Sequence, residues 1–533
     1  MSLSHPLSPD CPKMAKPSAA TTYLMWFRQD LRTCDNTALV RCCELAKNAQ
    51  AAVLAVVYIT PEQWQRHQKS LWQIDLILRA IVALQQQLAK LNIGLVVRTA
   101  ATFAEQTSDV LALCQQQRVS DIFANLEYLV DETQRDTEVS QRGAQQGVTS
   151  HWYDDRTIVA PQQIVTHQGQ PYKVFTPFFK RWHALLDTAN LSLLPPPLGS
   201  DFNTVQWAAD LSTLPMPYDV EMFYHTAYSS CSAIASQFAK QLAQIKTHSS
   251  RWYPASEEAA LTRLAAFIEH DIANYDSARD VPSLHDNLGA TSRLSPYLAV
   301  GLISPRLCYL RAQQYWQNAT AQAHDTAVFR WLSELASWRD FYYDVIVNRP
   351  DIVKGQAFLT ALDQQVGWRY DTADFAMWCQ GRTGVPLVDA AMRCLNATGF
   401  MHNRLRMVVA MYLSKNLLID WRWGEAYFMQ QLVDGDFASN NGGWQWSASI
   451  GTDAQPYFRV MNPFSQAQTH DSEAKFIKHW LPELATLAPQ ILNDEAKLQR
   501  YLQAHRHIQY PLLTTPTKVS RALAIAAFKT PHR

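Results

Sequence analysis

The chain has 533 residues, which exceeds one ordinary domain and predicts two or three. Its apolar fraction of 47% is typical of a globular protein, and no apolar run is long enough to span a membrane. Lys and Arg together number 47, as do Asp and Glu, so the net charge gives no sign of a nucleic-acid partner. Nine cysteines without a CxxC pair indicate a reducing compartment and argue against disulfides or a zinc site.

Residues 1–20 are polar and lack the apolar segment of a secretion signal, so we expect a disordered extension there. From residue 21 to about 155, short apolar runs alternate with amphipathic helical patterns, of which 71–91 is the clearest. Such alternation predicts an α/β domain with a doubly wound, parallel five-stranded sheet, whose ligands would lie beyond the carboxyl ends of the strands. The candidate strands are 23–27, 53–59, 94–98, 122–125 and 149–152.

Glycine is scarce in this domain: only Gly94 precedes Gly143, so neither a GxGxxG fingerprint nor a P-loop is present. A nucleotide cofactor would therefore bind elsewhere or through other contacts. The motif WFRQDLR at 26–32 follows the first strand, and Asp35 and Asn36 beside it suit the start of a helix. We favour a structural role for this motif, as an arginine–aspartate cluster that holds the end of the strand.

Residues 156–255 have the character of a connector and include the stiff run LPPPLG at 194–199. From 256 to 533 helical periodicity dominates, which predicts a large all-α domain. Clear examples are 291–306, 328–347 and 404–418. Eight of the 17 tryptophans fall between Trp331 and Trp446, which indicates that they gather around a common site.

Three motifs of the helical domain carry polar groups that suit a ligand. TSRLS at 291–295 offers hydroxyls and a guanidinium before a helix that we expect to end near Gly301, which fits either an anion site or an ordinary helix cap. Trp331, Glu334 and Trp338 share a helix face, and such a face is more often core or interface than a pocket wall. MHNRLRM at 401–407 places donors beside a methionine and suits the edge of a ligand, although its histidine is more often structural than catalytic.

The densest motif is DGDFASNNGGWQW at 434–446. Its carboxylates and amides can hold a polar ligand, and its glycines allow the backbone to approach closely. Its two indoles offer surfaces for stacking or for electron transfer. A helix that only packs in a core has no need of this combination.

Six motifs occur in the order found in one protein family. They are WFRQDLR at 26, YKVFTPF at 172, TSRLS at 291, TGVPLVDAAMR at 383, MHNRLRM at 401 and DGDFASNNGGWQW at 434. Over about residues 21–510 the chain resembles the DNA photolyases of the photolyase/cryptochrome family, and most closely the bacterial class I enzymes that repair cyclobutane pyrimidine dimers. The resemblance implies an α/β antenna domain, a connector and a helical domain that holds FAD, which explains the missing GxGxxG.

The resemblance implies that FAD, active as FADH⁻, is bound by a set of residues in the helical domain. Among them, Asn440 is implied to face flavin N5, where a neutral amide tunes the redox state. Arg406 is expected to pair with Asp434 beside the flavin. The implied FAD-binding residues are Tyr275, Thr291, Ser292, Arg293, Leu294, Ser295, Trp331, Arg339, Asn403, Arg406, Asp434, Gly435, Asp436 and Asn440.

Trp444, Trp421 and Trp368 match the family's tryptophan chain, which leads from the flavin to the surface. By resemblance this chain serves photoreduction of oxidised flavin and not the repair step itself. Each indole taken alone would be assigned to core packing. Together with Asn440, these three form the catalytic group that the resemblance implies.

The same resemblance implies that a flipped-out pyrimidine dimer is held by one group of side chains, with Trp338 and Trp446 replacing the lost base stack. The family carries two residues between the glutamate and the Trp–Arg pair, whereas this chain carries three, at 335–337. We therefore expect a local adjustment of the helix there. The implied dimer-binding residues are Glu334, Trp338, Asn403, Arg404, Met407 and Trp446.

For the antenna, His67, Asp131, Glu132 and Lys354 match folate-binding positions of the bacterial enzymes. This match favours 5,10-methenyltetrahydrofolate, with a deazaflavin as the alternative. Asp131 stands where the family usually carries asparagine. We expect no metal.

The resulting hypothesis is a light-driven carbon–carbon lyase. The antenna passes energy to FADH⁻, which donates an electron to the dimer and receives it back. The relatives that repair (6-4) photoproducts carry histidine where Asn403 stands, and Trp446 and Met407 fit dimers in duplex DNA. The expected partner is therefore UV-damaged duplex DNA. We expect a monomer that is cytoplasmic and not bound to membranes.

The main rival is a cryptochrome, which shares the fold and the flavin but signals by conformational change. Cryptochromes often carry long C-terminal extensions, so the end of the sequence at Arg533 favours repair. A second rival is a helical flavoprotein oxidoreductase. It is less favoured, because no hydride-acceptor or quinone motif is evident.

Overall fold

The computed structural model describes residues 22–189, 191–199, 232–282, 291–318 and 322–529. The predicted extension at 1–20 and part of the predicted connector lie outside these ranges. Within them, no helix combines the length and the apolar character needed to cross a membrane.

A parallel sheet of five strands forms the centre of the N-terminal domain, in the order β3-β2-β1-β4-β5. Its central strands are buried along their whole length, as expected for parallel strands that are covered on both faces. The predicted doubly wound sheet and all five predicted strands are confirmed. The strands are β1 (Thr22–Phe27), β2 (Ala52–Ile59), β3 (Gly94–Thr99), β4 (Val119–Asn125) and β5 (Thr149–Tyr153).

Helices cover both faces of the sheet, and alternate residues of β1 point to opposite faces. Met25 packs in the cluster that contains α1 and α3, whereas Leu24 packs with α4 and α5. Helix α1 begins after Asn36, whose side chain accepts the Leu39 N–H as predicted. The helices are α1 (Thr37–Ala49), α2 (Pro61–Arg66), α3 (Leu71–Lys90), α4 (Phe103–Gln116) and α5 (Val130–Gln145).

The WFRQDLR motif forms an ion-paired network at the carboxyl end of β1. Arg28 donates to Asp136 at 2.7 and 2.8 Å, and Arg32 pairs with Asp155. Asp30 is buried and accepts hydrogen bonds from the side chain of Asn125 at 2.6 Å. The structural interpretation of the motif is therefore confirmed.

The described part of the connector packs on the helical domain. It contains α6 (Phe175–Thr188) and α7 (Ser232–Trp252). Asp340 accepts the backbone N–H groups of Ile158 and Val159 at 3.0 and 2.9 Å, and the indole N–H of Trp182 at 2.6 Å. One buried carboxylate thus holds two separate parts of the connector against the helical domain.

The rest of the chain is helical, and the predicted all-α domain is confirmed. Its first half contains α8 (Glu257–Ala266), α9 (Tyr275–Ala278), α10 (Ser295–Val300), α11 (Pro305–Asn318), α12 (Gln322–Ala336), α13 (Tyr342–Asn348), α14 (Pro350–Val353), α15 (Thr360–Gln365) and α16 (Thr372–Gln380). Its second half contains α17 (Pro386–Thr398), α18 (Asn403–Met411), α19 (Trp421–Gln431), α20 (Phe437–Ser447), α21 (Pro463–His470), α22 (Lys475–Trp480), α23 (Pro489–Leu492), α24 (Glu495–Ala504) and α25 (Thr517–Lys529). Short 3₁₀ segments lie at Ile272–Asn274 and Pro482–Leu484, and π-helical turns lie at Phe267–Asp271, Ser337–Phe341 and Tyr412–Asn416.

The three helices predicted at 291–306, 328–347 and 404–418 are each interrupted, so those boundaries were wrong. The first ends at Gly301, as expected for the helix that follows TSRLS, and Gly301 adopts a left-handed conformation with φ of 75°. A Cβ at Gly301 would lie 2.0 Å from the carbonyl oxygen of Gln29, so the close approach of the loop that follows β1 requires glycine there. The other two contain π-helical turns, which the apolar periodicity does not reveal.

Candidate functional site

A cavity of about 510 Å³ lies inside the helical domain, within the size range of ligand sites in proteins. Its walls come mainly from α10, α12, α18 and α20 and from the turns that flank them. Nearly all residues implied to hold the cofactor line it. They are Tyr275, Thr291, Ser292, Arg293, Leu294, Ser295, Trp331, Arg339, Asn403, Arg406, Asp434, Asp436 and Asn440. Gly435 does not line the cavity; its carbonyl accepts a hydrogen bond from Gln73 at 2.7 Å.

An ion pair lies on one wall of the cavity, between α18 and the turn before α20. Arg406 Nη2 donates to both carboxylate oxygens of Asp434, at 3.0 and 2.8 Å, so the predicted pair is confirmed. The hydroxyl of Ser295 donates to the same carboxylate at 2.6 Å. No side-chain cap closes the start of α10, so TSRLS is not an ordinary capping motif.

Asp436 forms a second charged centre, which is buried. It accepts hydrogen bonds from Arg156 at 2.8 Å and from the Tyr343 hydroxyl at 2.6 Å, and Arg339 lies 3.4 Å away. Burial alone would raise the pKa of Asp436, but Arg339 and Arg156 hold it well below its usual range. The carboxylate also caps α20 by accepting the Ser439 N–H at 3.0 Å. Asp436 therefore stays ionised and ties the connector to the cavity wall.

Asn440 is oriented by the neighbouring helix α19. Its amide Nδ2 donates to the backbone carbonyl of Glu425 at 3.0 Å, and Asn441 Nδ2 donates to the Glu425 side chain at 3.2 Å. The first bond leaves Oδ1 of Asn440 as an acceptor at the cavity wall. The amide is thus held in one orientation.

The glycines of α20 allow this helix to approach α13 closely. A Cβ at Gly442 would lie 2.2 Å from Cδ1 of Tyr342, so no other residue fits there without displacing the ring. The neighbouring Gly443 lies on the cavity wall near Trp338. The close approach predicted from these glycines is confirmed.

The extra residue at 335–337 is accommodated by the π-helical turn Ser337–Phe341. This turn keeps Glu334 and Trp338 on the cavity side, and Trp338 Nε1 donates to Glu334 at 3.0 Å. The expected local adjustment of the helix is confirmed. The preferred interpretation of this helix face as core or interface was wrong, because Trp331, Glu334 and Trp338 all line the cavity, although Trp331 is also buried.

The residues implied to hold the dimer all line the same cavity. Ion pairs fix two of them: Glu334 binds Arg279, and Arg404 binds Asp280. Trp338, Met407 and Trp446 are half-buried, and Asn403 is exposed. The implied dimer-binding residues that line the cavity are Glu334, Trp338, Asn403, Arg404, Met407 and Trp446.

His402 has the structural role expected of it. Its Nδ1 accepts the Arg404 N–H at 3.2 Å and caps the start of α18. Burial, assisted by the positive charge of Arg293, lowers the pKa of His402 to about 3. The imidazole is therefore neutral near pH 7 and is poorly suited to donate a proton.

Of the three tryptophans of the implied chain, Trp368 is the one that is partly exposed. Trp444 lines the cavity and is buried, Trp421 is fully buried, and Trp368 is half-buried. The buried carboxylate of Asp363 accepts the indole N–H groups of both Trp368, at 2.9 Å, and Trp421, at 3.2 Å.

Three of the four implied antenna residues lie together at the start of α5. The imidazole of His67 lies 3.4 Å from both Asp131 and Glu132, and Gln63 donates to Asp131 at 3.0 Å. Burial, together with the charge of Glu127, raises the pKa of Glu132 to about 7. Oε2 of Glu132 is buried and finds no hydrogen-bond partner among the described residues.

Lys354 is exposed at the end of α14, and the described residues give it no hydrogen bond or ion pair with the other three antenna residues. A small cavity of about 20 Å³ lies beyond the ends of β1 and β4, and Asp30, Arg32 and Arg156 are among the residues that line it.

Several site residues were not identified from the sequence: Arg156, Arg279, Asp280, Asp363 and Glu425. Three of them reach their partners across large separations along the chain, as with Arg156 and Asp436. Asp363 lies only five residues from Trp368 and Glu425 only 15 from Asn440, but no pattern in the sequence signals that these side chains meet.

Comparison with known proteins agrees with this geometry. A family model described as DNA photolyase matches residues 23–198, and one described as the FAD binding domain of DNA photolyase matches residues 331–530. The deoxyribodipyrimidine photo-lyase of Vibrio cholerae is 37% identical over 507 residues, which cover 95% of this chain and 99% of the relative.

Two solved structures share the fold over nearly the whole chain. A class III photolyase from Agrobacterium tumefaciens has a TM-score of 0.75 and 28% identity, covering 97% of this chain and 99% of that one. An archaeal photolyase from Sulfolobus tokodaii, solved with two FAD molecules, has a TM-score of 0.73 and 26% identity, covering 96% of this chain and 100% of that one. From its motifs, its cavity and these matches, the chain belongs to the DNA photolyase family.

Proposed function

We propose that this protein splits cyclobutane pyrimidine dimers in UV-damaged DNA by light-driven electron transfer from reduced FAD. The observation that carries the proposal is a single cavity that contains both groups of side chains. Arg406, Asp434 and Asn440 line it together with Trp338 and Trp446. Electron donation to a base requires cofactor and base to lie close together, and one shared cavity provides this.

The chemistry of the cavity suits FAD. Arg293, Arg339 and Arg406 supply positive charge for a diphosphate, and the hydroxyls at 291–295 supply hydrogen-bonding groups for it and for the ribityl chain. When bound and reduced, FAD supplies the light absorption and the electron that opens the cyclobutane ring, and it accepts the electron back. The protein residues bind, orient and exclude water.

Asn440 and the Arg406–Asp434 pair would tune the cofactor. The carbonyl of Glu425 holds the amide of Asn440, so its Oδ1 can accept a hydrogen bond from N5–H of the reduced ring. Arg406 would supply positive charge beside the bound flavin, which would favour an anionic reduced form. Asp434 limits this charge and fixes the guanidinium in place.

Trp338 and Trp446 would hold the flipped-out dimer by stacking and apolar contact. The N–H of Trp338 is engaged by Glu334, so the indole is already oriented before DNA binds. Such preorganisation reduces the entropy cost of binding. Arg279 and Arg404 carry the positive charge that neighbouring phosphates would meet, and binding should weaken as salt increases.

Asn403 favours cyclobutane dimers over (6-4) photoproducts. Met407 and Trp446 favour dimers in duplex DNA over dimers in single-stranded DNA. Matched oligonucleotides that carry either lesion test this choice. The chemically reduced protein should restore the cyclobutane-dimer strand under blue light and leave the (6-4) strand unchanged. Restoration of the (6-4) strand alone would contradict the assignment.

Light-dependent repair separates the enzyme from a cryptochrome with the same fold. The measurement is loss of dimers from a duplex oligonucleotide under blue light, with a dark sample and an undamaged duplex as controls. Unchanged dimer content with fully reduced flavin would reject the repair function. Turnover of a small substrate in the dark would instead support an oxidoreductase.

For the antenna we propose 5,10-methenyltetrahydrofolate near His67, Asp131 and Glu132. The unpartnered Oε2 of Glu132 is an acceptor for the N–H groups of a pterin ring, and Lys354 would contact the outer part of the ligand. A deazaflavin is the alternative antenna. Mass spectrometry of the released chromophores decides between the folate and a deazaflavin. The variant Glu132→Gln should lower the folate content of the protein without loss of FAD.

We further propose that the protein acts as a monomer on cytoplasmic DNA. Size-exclusion chromatography with light scattering tests the first point. Fractionation of cells that produce the protein tests the second.

A further inference from the structure

Two groups of aromatic side chains pack in the same core cluster as Trp444. One is the predicted pair Trp421 and Trp368. The other begins with Trp378, whose ring centroid lies 6.0 Å from that of Trp444. It continues through the side chains that contact Trp378, namely Tyr427 at 5.7 Å and Phe375 at 5.9 Å, to Trp423 and the exposed Tyr370. Ring contacts alone would therefore favour the Trp378 branch.

The electrostatic surroundings of the two branches differ. Oδ1 of Asp363 accepts the N–H groups of both Trp368 and Trp421, and its Oδ2 accepts from Arg422 at 2.6 Å. By contrast, the Trp378 N–H donates to the neutral backbone carbonyl of Val409 at 3.2 Å. A carboxylate therefore contacts both indoles of the first branch. In the second branch the carboxylate of Asp420 accepts the hydroxyl of the terminal Tyr370 at 3.2 Å, but the described residues give Trp378 no carboxylate partner.

The positions along the first branch also differ in charge. The N–H of Trp444 is buried and finds no acceptor among the residues that the structure describes. Trp421 contacts the carboxylate, but the guanidinium of Arg422 lies 4.6 Å from the centre of its ring. Trp368 has the shorter hydrogen bond to Asp363 and is also half-exposed to water. Positive charge on an indole is thus stabilised least at Trp444 and most at Trp368.

We propose that Asp363 directs electron flow during photoreduction, by stabilising positive charge on Trp421 and Trp368 in preference to Trp378. One electron passes from Trp444 to the light-excited oxidised flavin. Trp421 then donates an electron to Trp444, and Trp368 donates one to Trp421, so one positive charge comes to rest on Trp368. A small thiol in solution returns the electron to Trp368. Asp363 is a positioning residue in this scheme, and the scheme rests on the proposed function of the tryptophan chain.

The test is transient absorption after a laser flash on protein with oxidised FAD and without thiol. The lifetime of the tryptophan radical signal reports how well the charge is held away from the flavin. Asp363→Asn keeps an oxygen that accepts an indole N–H but removes the charge. We expect it to shorten the lifetime at least tenfold, which corresponds to about 59 mV for one electron. A lifetime within twofold of that of the original protein would overturn the proposal.

The matched control is Asp420→Asn. Asp420 is also buried and also pairs with Arg422. It accepts the hydroxyl of Tyr370 at 3.2 Å, but no indole N–H of the described residues donates to it. Asparagine is a good helix cap, so α19 should keep its start. In this variant the lifetime of the tryptophan radical signal should stay within twofold of that in the original protein. If the lifetime shortened as much as in Asp363→Asn, the effect would be assigned to Arg422 and the proposal would be contradicted.

Three further measurements complete the test. Trp378→Phe should leave the lifetime unchanged, and tenfold shortening would show that charge leaves by the other branch. If Asp363→Asn does not retain FAD, the pair Asp363→Glu and Asp363→Gln provides the same comparison of charge at constant length. Dimer repair by the original protein, reduced chemically beforehand, does not use the tryptophan relay. If this repair were absent, the proposed function would be rejected, but the role of Asp363 would not.

Discussion

Trp446 is expected to supply much of the preference for damaged over undamaged DNA. Its indole is half-buried on the wall of the cavity, which leaves one surface available for a flipped-out base. Stacking of a base on an aromatic side chain contributes about 1–3 kcal/mol. Trp446→Ala should therefore weaken the affinity for a dimer-containing duplex by about 5-fold to 150-fold. Affinity for undamaged duplex should change little, because that binding depends on phosphate contacts.

The assay is fluorescence anisotropy with labelled duplexes that differ only in the dimer, at one fixed salt concentration. Absorbance of bound FAD is measured on the same samples, and it should not change, because Trp446 takes no part in the ion pairs that surround the cofactor region. Trp423→Ala is a matched control: Trp423 is also half-buried but does not line the cavity. Equal weakening for damaged and undamaged DNA, or equal loss in the control, would refute the stacking role.

Three other predictions concern the relay, a buried ion pair and a buried lysine. Trp368→Phe should slow photoreduction, followed by flavin absorbance under blue light with thiol, yet preserve repair by protein reduced beforehand. Asp436→Asn keeps the helix cap but leaves Arg156 and Arg339 without their counter-charge, so urea denaturation should show a loss of about 3 kcal/mol. Burial lowers the pKa of Lys415 to about 7, so from pH 7 to 9 the unfolded chain binds a proton that the folded chain lacks. Over this range the melting temperature of the original protein should therefore rise with pH relative to that of Lys415→Met. If the melting temperatures of the two proteins changed in parallel with pH, the lowered pKa of Lys415 would be contradicted.

The architecture of the N-terminal domain follows from local patterns in the chain. Apolar runs such as 53–59 are recognisable because a strand covered on both faces must be apolar along its length. The helical domain is equally evident from its periodicity. Helix ends are less so: the helix end near Gly301 was predicted, but the π-helical turns at Ser337–Phe341 and Tyr412–Asn416 are not visible in the apolar periodicity.

The candidate site was predicted in part because its residues cluster in short motifs. The pair between Arg406 and Asp434 was expected from resemblance, and the structure contains it. The anchors of this site were not expected. Arg156 comes from the connector, and Asp363 joins two tryptophans that are distant in sequence.

The sequence by itself determined the two-domain architecture, the family and nearly every residue around the cavity, because these depend on periodicity and on motifs of adjacent residues. Only the tertiary structure decided how charge is distributed among them. Whether Trp421 or Trp378 lies beside a carboxylate depends on where the chain brings Asp363. Electrostatic energy falls with distance in space and not along the chain, so these choices follow from folding.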